Sequence, residues 1–86
     1  MKEFEYTIKD ELGIHARPAG LLVKKASGFA STVTVSNGSK TGDAKKIMSL
    51  MMLAVKQNQT VKFTVEGPDE EKAAEELEAF MKENLL

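Results

Sequence analysis

The sequence predicts an α+β fold in which helices cover one face of a mainly antiparallel β-sheet. Three segments alternate apolar and polar residues, a short fourth strand is expected after an Asn-Gly turn, and three segments repeat apolar residues at helical spacing. The predicted order is β-α-β-β-α-β-α. Strands with a single apolar face need helices on that face only, which favours two layers. With 86 residues, 42% of them hydrophobic, the chain is expected to form one domain, residues 1–86.

The strand segments show the two-residue alternation of half-buried strands. The stretches "EFEYTIK", "STVTV" and "TVKFTVEG" each place apolar side chains on one face and mostly polar ones on the other. Asn37-Gly38 is a strong hairpin signal, so a brief strand is predicted near 39–42. The side chains expected to face the core are Phe4, Tyr6, Ile8, Val33, Val35, Val61, Phe63 and Val65.

The helical segments repeat apolar residues every three or four positions. The first helix is predicted from Ala16 and ends at Gly28, which is expected to be left-handed. The second spans "AKKIMSLMMLAVK", residues 44–56, and the third follows Pro68 with Asp69 as its N-cap. The apolar stripes of the first and third helices are Ala19, Leu22, Val23, Ala26, Ala73, Ala74, Leu77, Phe80 and Met81.

Composition and charge exclude several classes of function. A net charge of −1 gives no general attraction to nucleic acid or to an anionic membrane, and no apolar run is long enough to span a bilayer. The chain has no cysteine for disulfides or thiolate metal sites, and its single histidine cannot assemble an ordinary zinc site. No glycine-rich phosphate loop follows a strand. We therefore expect a cytoplasmic protein without metal, cofactor, nucleic-acid partner or membrane insertion.

The segment "GIHARPAG" concentrates the most distinctive side chains. It contains the only histidine, His15, and the only arginine, Arg17, followed by Pro18 at a predicted helix start. Each alone has an ordinary explanation, as a capping histidine, a solvated cation or a first-turn proline. Together they predict an anion site at the helix start formed by Ala16 and Pro18. The first amides of a helix lack intrahelical partners, and a guanidinium adds charged hydrogen bonds to an oxyanion.

Histidine adds a chemical property that passive anion binding does not need. A neutral imidazole is a nucleophile, and a phosphorylated His15 would present a strongly negative group to the same amides and to Arg17. The segment therefore predicts a site that carries a phosphoryl group rather than hydrolysing it. Because Pro18 disfavours helical angles in the residue before it, a helix start at Pro18, with Arg17 extended or capping, is the alternative to a start at Ala16.

The second predicted helix carries apolar residues on two sides. One side holds Leu50, Leu53 and Ala54, and the other holds Ile47, Met48, Met51 and Met52. Since both sides cannot face one sheet, either the methionines fill gaps in the core or part of the second set is exposed. We favour an exposed patch of Ile47, Met48 and Met51, because methionine repacks easily against different partner proteins.

Three stretches carry a family resemblance: "GIHARPA" around His15, "AKKIMSLMMLAV" in the second helix and "VEGPDEEKAAEELE" near the end. They resemble the HPr family, the histidine-containing phosphocarriers of the bacterial sugar phosphotransferase system. The resemblance implies an open-faced β-sandwich with a four-stranded sheet in the order 1-4-2-3 and three helices on one face. It also implies that Nδ1 of His15 accepts phosphate from enzyme I and passes it to sugar-specific enzyme IIA domains, with Arg17 assisting the transfer.

The same resemblance implies a carrier that is phosphorylated transiently, not an enzyme, and a monomer. The residues expected to meet enzyme I and enzyme IIA are Gly20, Lys24, Ile47, Met48, Met51 and Met52.

Two positions depart from the family's pattern. Many relatives of Gram-positive type carry a regulatory serine just before the "IM" of the second helix, where this chain has Lys46, so no regulatory serine is expected there. Ser49 lies deeper in the predicted helix, where a phosphate would gain little from the helix N-terminus. The family's usual glycine late in that helix is Ala54, which adds a methyl group near the expected docking surface.

Three functions from different classes remain open at the level of sequence. The first is a phosphocarrier that uses His15, and the second is a regulatory interaction domain of the same fold that never uses the histidine. The third is a small phosphatase-like enzyme in which Arg17 binds phosphate and water attacks. The presence of both His15 and Arg17 speaks against the second, and the third lacks an evident water-positioning base.

Overall fold

The strands and helices follow the predicted order in residues 1–84, the part of the chain that the computed structural model describes. The strands are β1 (Lys2–Thr7), β2 (Thr32–Ser36), β3 (Thr41–Asp43) and β4 (Thr60–Glu66), and the helices are α1 (Ala16–Ala26), α2 (Ile47–Met51) and α3 (Glu70–Glu83).

The four strands form one antiparallel sheet in the order β1-β4-β2-β3, which confirms the predicted α+β fold. The register places Phe4 opposite Phe63 and Val33 opposite Val65, so apolar side chains of neighbouring strands share one face. The rings of Phe4 and Phe63 stack with their centroids 4.7 Å apart. This cross-strand packing links the edge strand β1 to the central strand β4.

The core lies between the apolar face of the sheet and the helices. α3 packs against β1 and β4, α1 packs against α2 and α3, and α2 packs against β3. Of the strand residues predicted to face inward, only Phe4 is half-buried and the others are buried. The largest fully buried side chains are Phe63, Ile8, Leu22, Leu50, Leu77, Met81, Val33, Val35, Val61 and Val65. Within residues 1–84, no helix has the length and apolar character needed to cross a membrane.

The predicted left-handed end of α1 at Gly28 is wrong. The helix ends at Ala26, Ser27 follows as a right-handed C-cap, and the φ angle of Gly28 is not positive. The amide of Gly28 donates to the carbonyl of Lys25 at 3.1 Å in a further turn. Because this turn already satisfies a terminal carbonyl of the helix, no left-handed residue is needed.

The β2–β3 hairpin has a wider connection than Asn37-Gly38 alone predicts. Four residues, 37–40, join the strands, so β3 covers 41–43 rather than 39–42. The side-chain oxygen of Asn37 accepts hydrogen bonds from the amides of Ser39 and Lys40, at 2.9 and 2.7 Å. Asparagine thus shapes the turn through its side chain as well as its backbone.

α2 is much shorter than the helix predicted over 44–56. It covers only Ile47–Met51, because the amide of Ala44 still bonds to the carbonyl of Val33 beside the sheet. At the other end Ala54 has a φ of +51°, which a continuing right-handed helix does not allow. Leu50 and Leu53 are buried, whereas Ala54, which shares their predicted side of the helix, is exposed.

Asp69 occupies the predicted N-cap position of α3, but its carboxylate makes no capping hydrogen bond. It accepts hydrogen bonds from the amides of Ala30 and Ser31, each at 2.9 Å, and from the hydroxyl of Ser31, which is fully buried. These bonds, chiefly that of the Ser31 hydroxyl, hold the pKa of Asp69 below its ordinary value. The carboxylate therefore connects the start of β2 to the start of α3.

Replacement of Ala54 by glycine is expected to stabilise the protein. A left-handed alanine costs about 1–2 kcal/mol, and the greater backbone entropy of unfolded glycine offsets part of the relief. The free energy of unfolding, measured with denaturant, should rise by roughly 0.5–1 kcal/mol. Asn58→Gly is the matched control, because Asn58 also has a positive φ, +72°, but asparagine tolerates it better. An Ala54→Gly protein less stable than its parent would contradict the prediction.

Asp69→Ala is expected to lower the melting temperature by several degrees at neutral pH. Because folding depresses the pKa of Asp69, its stabilising contribution is present above the ordinary value of 3.8 and is lost as the pH falls through the folded-state value. The difference between parent and variant should therefore shrink below about pH 4. Glu75→Ala, which removes an exposed carboxylate from α3, is the control. A difference that stays constant across this range would show that the carboxylate charge is not the cause.

Candidate functional site

His15 is the N-cap of α1, so the imidazole lies at the start of this helix. Its backbone is extended, with φ −107° and ψ −174°, and its carbonyl accepts a hydrogen bond from the amide of Ala19 at 2.9 Å. The side chain makes no capping hydrogen bond and is 33% exposed. The backbone of His15 is thus fixed by the helix while the ring stays accessible.

The loop before His15 is anchored to the segment between α2 and β4. Gly13 has a φ of +68°, and a Cβ at this position would overlap the carbonyl oxygen of Val55, so only glycine allows the close approach. Ile14 is buried, and its amide donates to the same carbonyl at 3.0 Å. No local sequence pattern predicts this contact with Val55.

Asp10 contacts the imidazole, although no sequence motif marks it as a site residue. Its Oδ2 lies 3.4 Å from Nε2 of His15, and its Oδ1 accepts a hydrogen bond from the amide of Leu12 at 2.9 Å. The Leu12 amide is the main cause that lowers the pKa of Asp10, and His15 and Arg17 add to it. The available signal was the position of an aspartate in the turn that leads to His15, which many ordinary turns also show.

Arg17 lies in the helix, so the predicted start at Ala16 is confirmed and the alternative start at Pro18 is wrong. α1 begins at Ala16, and Arg17 is its exposed second residue. The hydrogen bond from Ala19 to the carbonyl of His15 closes a turn that includes the intervening residues. Pro18 is tolerated here because the third helical position needs no N–H for an intrahelical bond, so the N–H that proline lacks is not missed. The ring of Pro18 is buried.

Two backbone amides at the start of α1 can bind an anion. Ala16 and Arg17 have no intrahelical acceptors, whereas Pro18 has no N–H to contribute. The first turn contains no acidic residue that would oppose a negative group. The helix dipole and the guanidinium of Arg17 add positive charge at this end of α1.

The exposed side of α2 forms a patch that we call the methionine patch, made of Ile47, Met48, Met51 and Met52. Met48 and Met52 are 68% and 69% exposed, whereas Leu50 and Leu53 are buried. The alternative in which all these apolar residues belong to the core is therefore wrong. A Cβ on Gly20 of α1 would lie 3.7 Å from Cδ1 of Ile47, so the patch adjoins the helix that begins at His15.

Two other exposed residues, Leu12 and Lys24, lie outside the methionine patch. Leu12, which the sequence analysis did not single out, is 70% exposed in the loop before His15. Lys24 is exposed and lines a cleft between α1 and α3 together with Leu21 and Phe29. This cleft is a surface separate from the methionine patch. In the described part of the chain, no three acidic or histidine side chains cluster as metal ligands would.

The N-cap position of α2 carries no hydroxyl group. Lys46 is the extended and exposed N-cap of α2, without a side-chain capping bond. Ser49 is half-buried, and its Oγ accepts a hydrogen bond from the amide of Asp43 at 2.8 Å. The nearest serine in the helix is thus engaged in holding α2 against β3.

Comparison with known proteins identifies the family. Residues 2–83 match the family described as "PTS HPr component phosphorylation site". The chain belongs to the HPr family. Phosphocarrier protein HPr of Lysinibacillus sphaericus is 45% identical over 83 residues, which cover 96% of this chain and 94% of that protein. A solved mycoplasma structure, described as the histidine-containing phosphocarrier protein, matches with a TM-score of 0.95 and 34% identity, over 99% of this chain and 97% of that one.

HPr membership confirms the predicted family and fold. It also confirms a phosphocarrier role in the phosphotransferase system, so the protein is a carrier and not a catalyst. A solved HPr dimer from Thermoanaerobacter tengcongensis is also similar, with a TM-score of 0.77 and 42% identity over 100% of this chain and 99% of that one. The expectation that this HPr protein is a monomer therefore stays a prediction.

Proposed function

We propose that His15 accepts a phosphoryl group from enzyme I at Nδ1 and passes it to sugar-specific enzyme IIA domains. The observation that carries the proposal is the position of an accessible imidazole at the start of α1, beside two amides without intrahelical acceptors. A nucleophile and a binding place for the group that it receives thus lie together. Nδ1 is the ring nitrogen that does not face Asp10.

The charges around His15 favour carrying phosphate over hydrolysing it. The phosphoryl group bears nearly two negative charges, which the amides of Ala16 and Arg17 and the guanidinium of Arg17 stabilise. A phosphatase also needs a base that activates water next to the phosphorus atom. The carboxylate in contact with the ring, Asp10, lies on the Nε2 side, and the first turn of α1 has no acidic residue.

We infer that the methionine patch and α1 dock onto the donor and acceptor proteins. An exposed apolar surface beside the reactive side chain lets a partner exclude water from it, and methionine adapts to different partners. Gly20 belongs to this surface through its approach to Ile47. Lys24, the other predicted docking residue of α1, lines the separate cleft between α1 and α3, so its contact with a partner stays a prediction.

Lys46 offers no hydroxyl, so a kinase that modifies a serine at the start of α2 has no target there.

We further propose that the chain acts as a single HPr domain over residues 1–86, as a monomer in the cytoplasm.

Incubation with enzyme I and phosphoenolpyruvate tests the central proposal. Mass spectrometry under alkaline conditions should show one acid-labile phosphoryl group on the parent and none on His15→Ala, whose circular dichroism should be unchanged. Labelling of His15→Ala equal to that of the parent would contradict the assignment. An unlabelled parent would favour a purely regulatory domain, and steady release of inorganic phosphate would favour a phosphatase.

Met48→Asp is expected to weaken binding to enzyme I by about tenfold or more while the fold is kept, because it places a charge in an apolar contact. Titration calorimetry measures the binding, and circular dichroism measures the fold. Ser27→Asp is the control, since it adds the same charge about 18 Å along α1 from His15. If Met48→Asp binds enzyme I as tightly as Ser27→Asp does, Met48 does not belong to the docking surface. If Met48→Asp unfolds, Met48 belongs to the core.

A further inference from the structure

The carboxylate of Asp10 connects the loop before α1 to the imidazole. One oxygen accepts a hydrogen bond from the amide of Leu12 at 2.9 Å, which closes a turn over residues 10–12, and the other lies 3.4 Å from Nε2 of His15. The side chains of Asp10 and His15 are 29% and 33% exposed, so the pair is partly shielded from water. The turn therefore aims a carboxylate at one particular ring nitrogen.

The chemistry of the two groups determines where the proton lies. An ionised carboxylate can only accept hydrogen bonds, and the pKa of Asp10 is lowered chiefly by the amide of Leu12, so Asp10 is ionised near neutral pH. A hydrogen bond with Nε2 of His15 then requires the proton to be on Nε2. In the neutral ring the lone pair is consequently on Nδ1.

We propose that Asp10 is a positioning residue that keeps the proton of His15 on Nε2 through both phosphoryl transfers. The inference rests on the proposed function of His15 and deepens it, since it names the group that selects the reacting nitrogen. A carboxylate that orients a histidine and stabilises its cation acts in this way in other proteins.

The two transfers balance without any movement of protons. In the first, the lone pair of Nδ1 forms a bond to phosphorus while the bond from phosphorus to the donor breaks, and the donor keeps that electron pair. The ring of His15 becomes a cation with its proton still on Nε2, beside the negative charge of Asp10. In the second, the acceptor attacks phosphorus, the bond to Nδ1 breaks, and its electron pair returns to the ring.

The charged and polar groups near the ring match these two steps. The amides of Ala16 and Arg17 lie at the start of α1, and Arg17 adds a cation to this helix end, so that both attract the phosphoryl oxygens. Asp10 faces the opposite nitrogen of the ring, where it offsets the positive charge of the phosphorylated imidazole. Phosphoryl group and ring are thus each stabilised by a group of opposite charge.

Asp10→Asn tests the proposal with little change of shape. Its amide oxygen can still accept from Leu12, but its NH₂ group would donate to Nε2 of His15 and move the proton to Nδ1. Nitrogen NMR of the neutral ring should show mainly the Nε2-protonated form in the parent and a shift toward the Nδ1-protonated form in the variant. Transfer from phosphorylated enzyme I should slow by about five- to tenfold, with the melting temperature unchanged.

Glu11→Gln is the matched control, because it removes the same charge from the next, exposed residue. It should leave both the protonated nitrogen and the transfer rate as in the parent. The proposal is overturned if the parent ring is protonated mainly on Nδ1, or if Asp10→Asn leaves the protonated nitrogen unchanged, even where transfer slows. A parent protein that enzyme I does not phosphorylate would refute the proposed phosphorylation of His15. It would leave the placement of the ring proton by Asp10 open to test, because the NMR comparison needs no phosphate.

Discussion

The hydrogen bond from the amide of Ile14 to the carbonyl of Val55 fixes the two parts of the functional surface relative to each other. On one side of this bond the chain continues directly into His15 and α1, and on the other it comes from α2. Ile14 and Val55 are buried, so water does not compete for the bond. Gly13 makes the approach possible, and the contact of α1 with Ile47 closes the same arrangement from the other side.

The site combines a fixed backbone with an accessible ring. His15 is held by the first turn of α1, by the buried residue before it and by the carboxylate of Asp10, yet a third of its side chain reaches solvent. A phosphoryl group that a carrier receives from one protein and donates to another has to lie on an accessible side chain rather than in a closed pocket. Fixed hydrogen-bond donors at a helix start supply stabilisation without a pocket, because they need no reorganisation when the negative group arrives.

Local periodicity in the sequence predicts the strands and their buried faces. Contacts between distant residues determine the length of α2 and the neighbours of His15. The alternation around Phe63 predicted the strands and their buried side, because each residue of a strand faces either the core or solvent. The predicted α2 is too long at its start. Ala44 fits the apolar pattern of a helix, but it is apolar because it lies beside the sheet. Residue type predicts His15 and Arg17 as site residues, whereas the contact of Asp10 with the ring depends on the turn at Leu12 and has no distinctive local signal.

β4 lies in the middle of the sheet, between β1 and β2, although it is the strand that comes last in the chain. During synthesis on the ribosome, β1, β2 and β3 therefore emerge before the strand that joins them. The sheet and the core beneath it cannot assemble until residues 60–66 have left the exit tunnel, because contacts distant in sequence form only after long loops are closed. A nascent chain that stalls before β4 exposes strands with one apolar face, which are prone to aggregate.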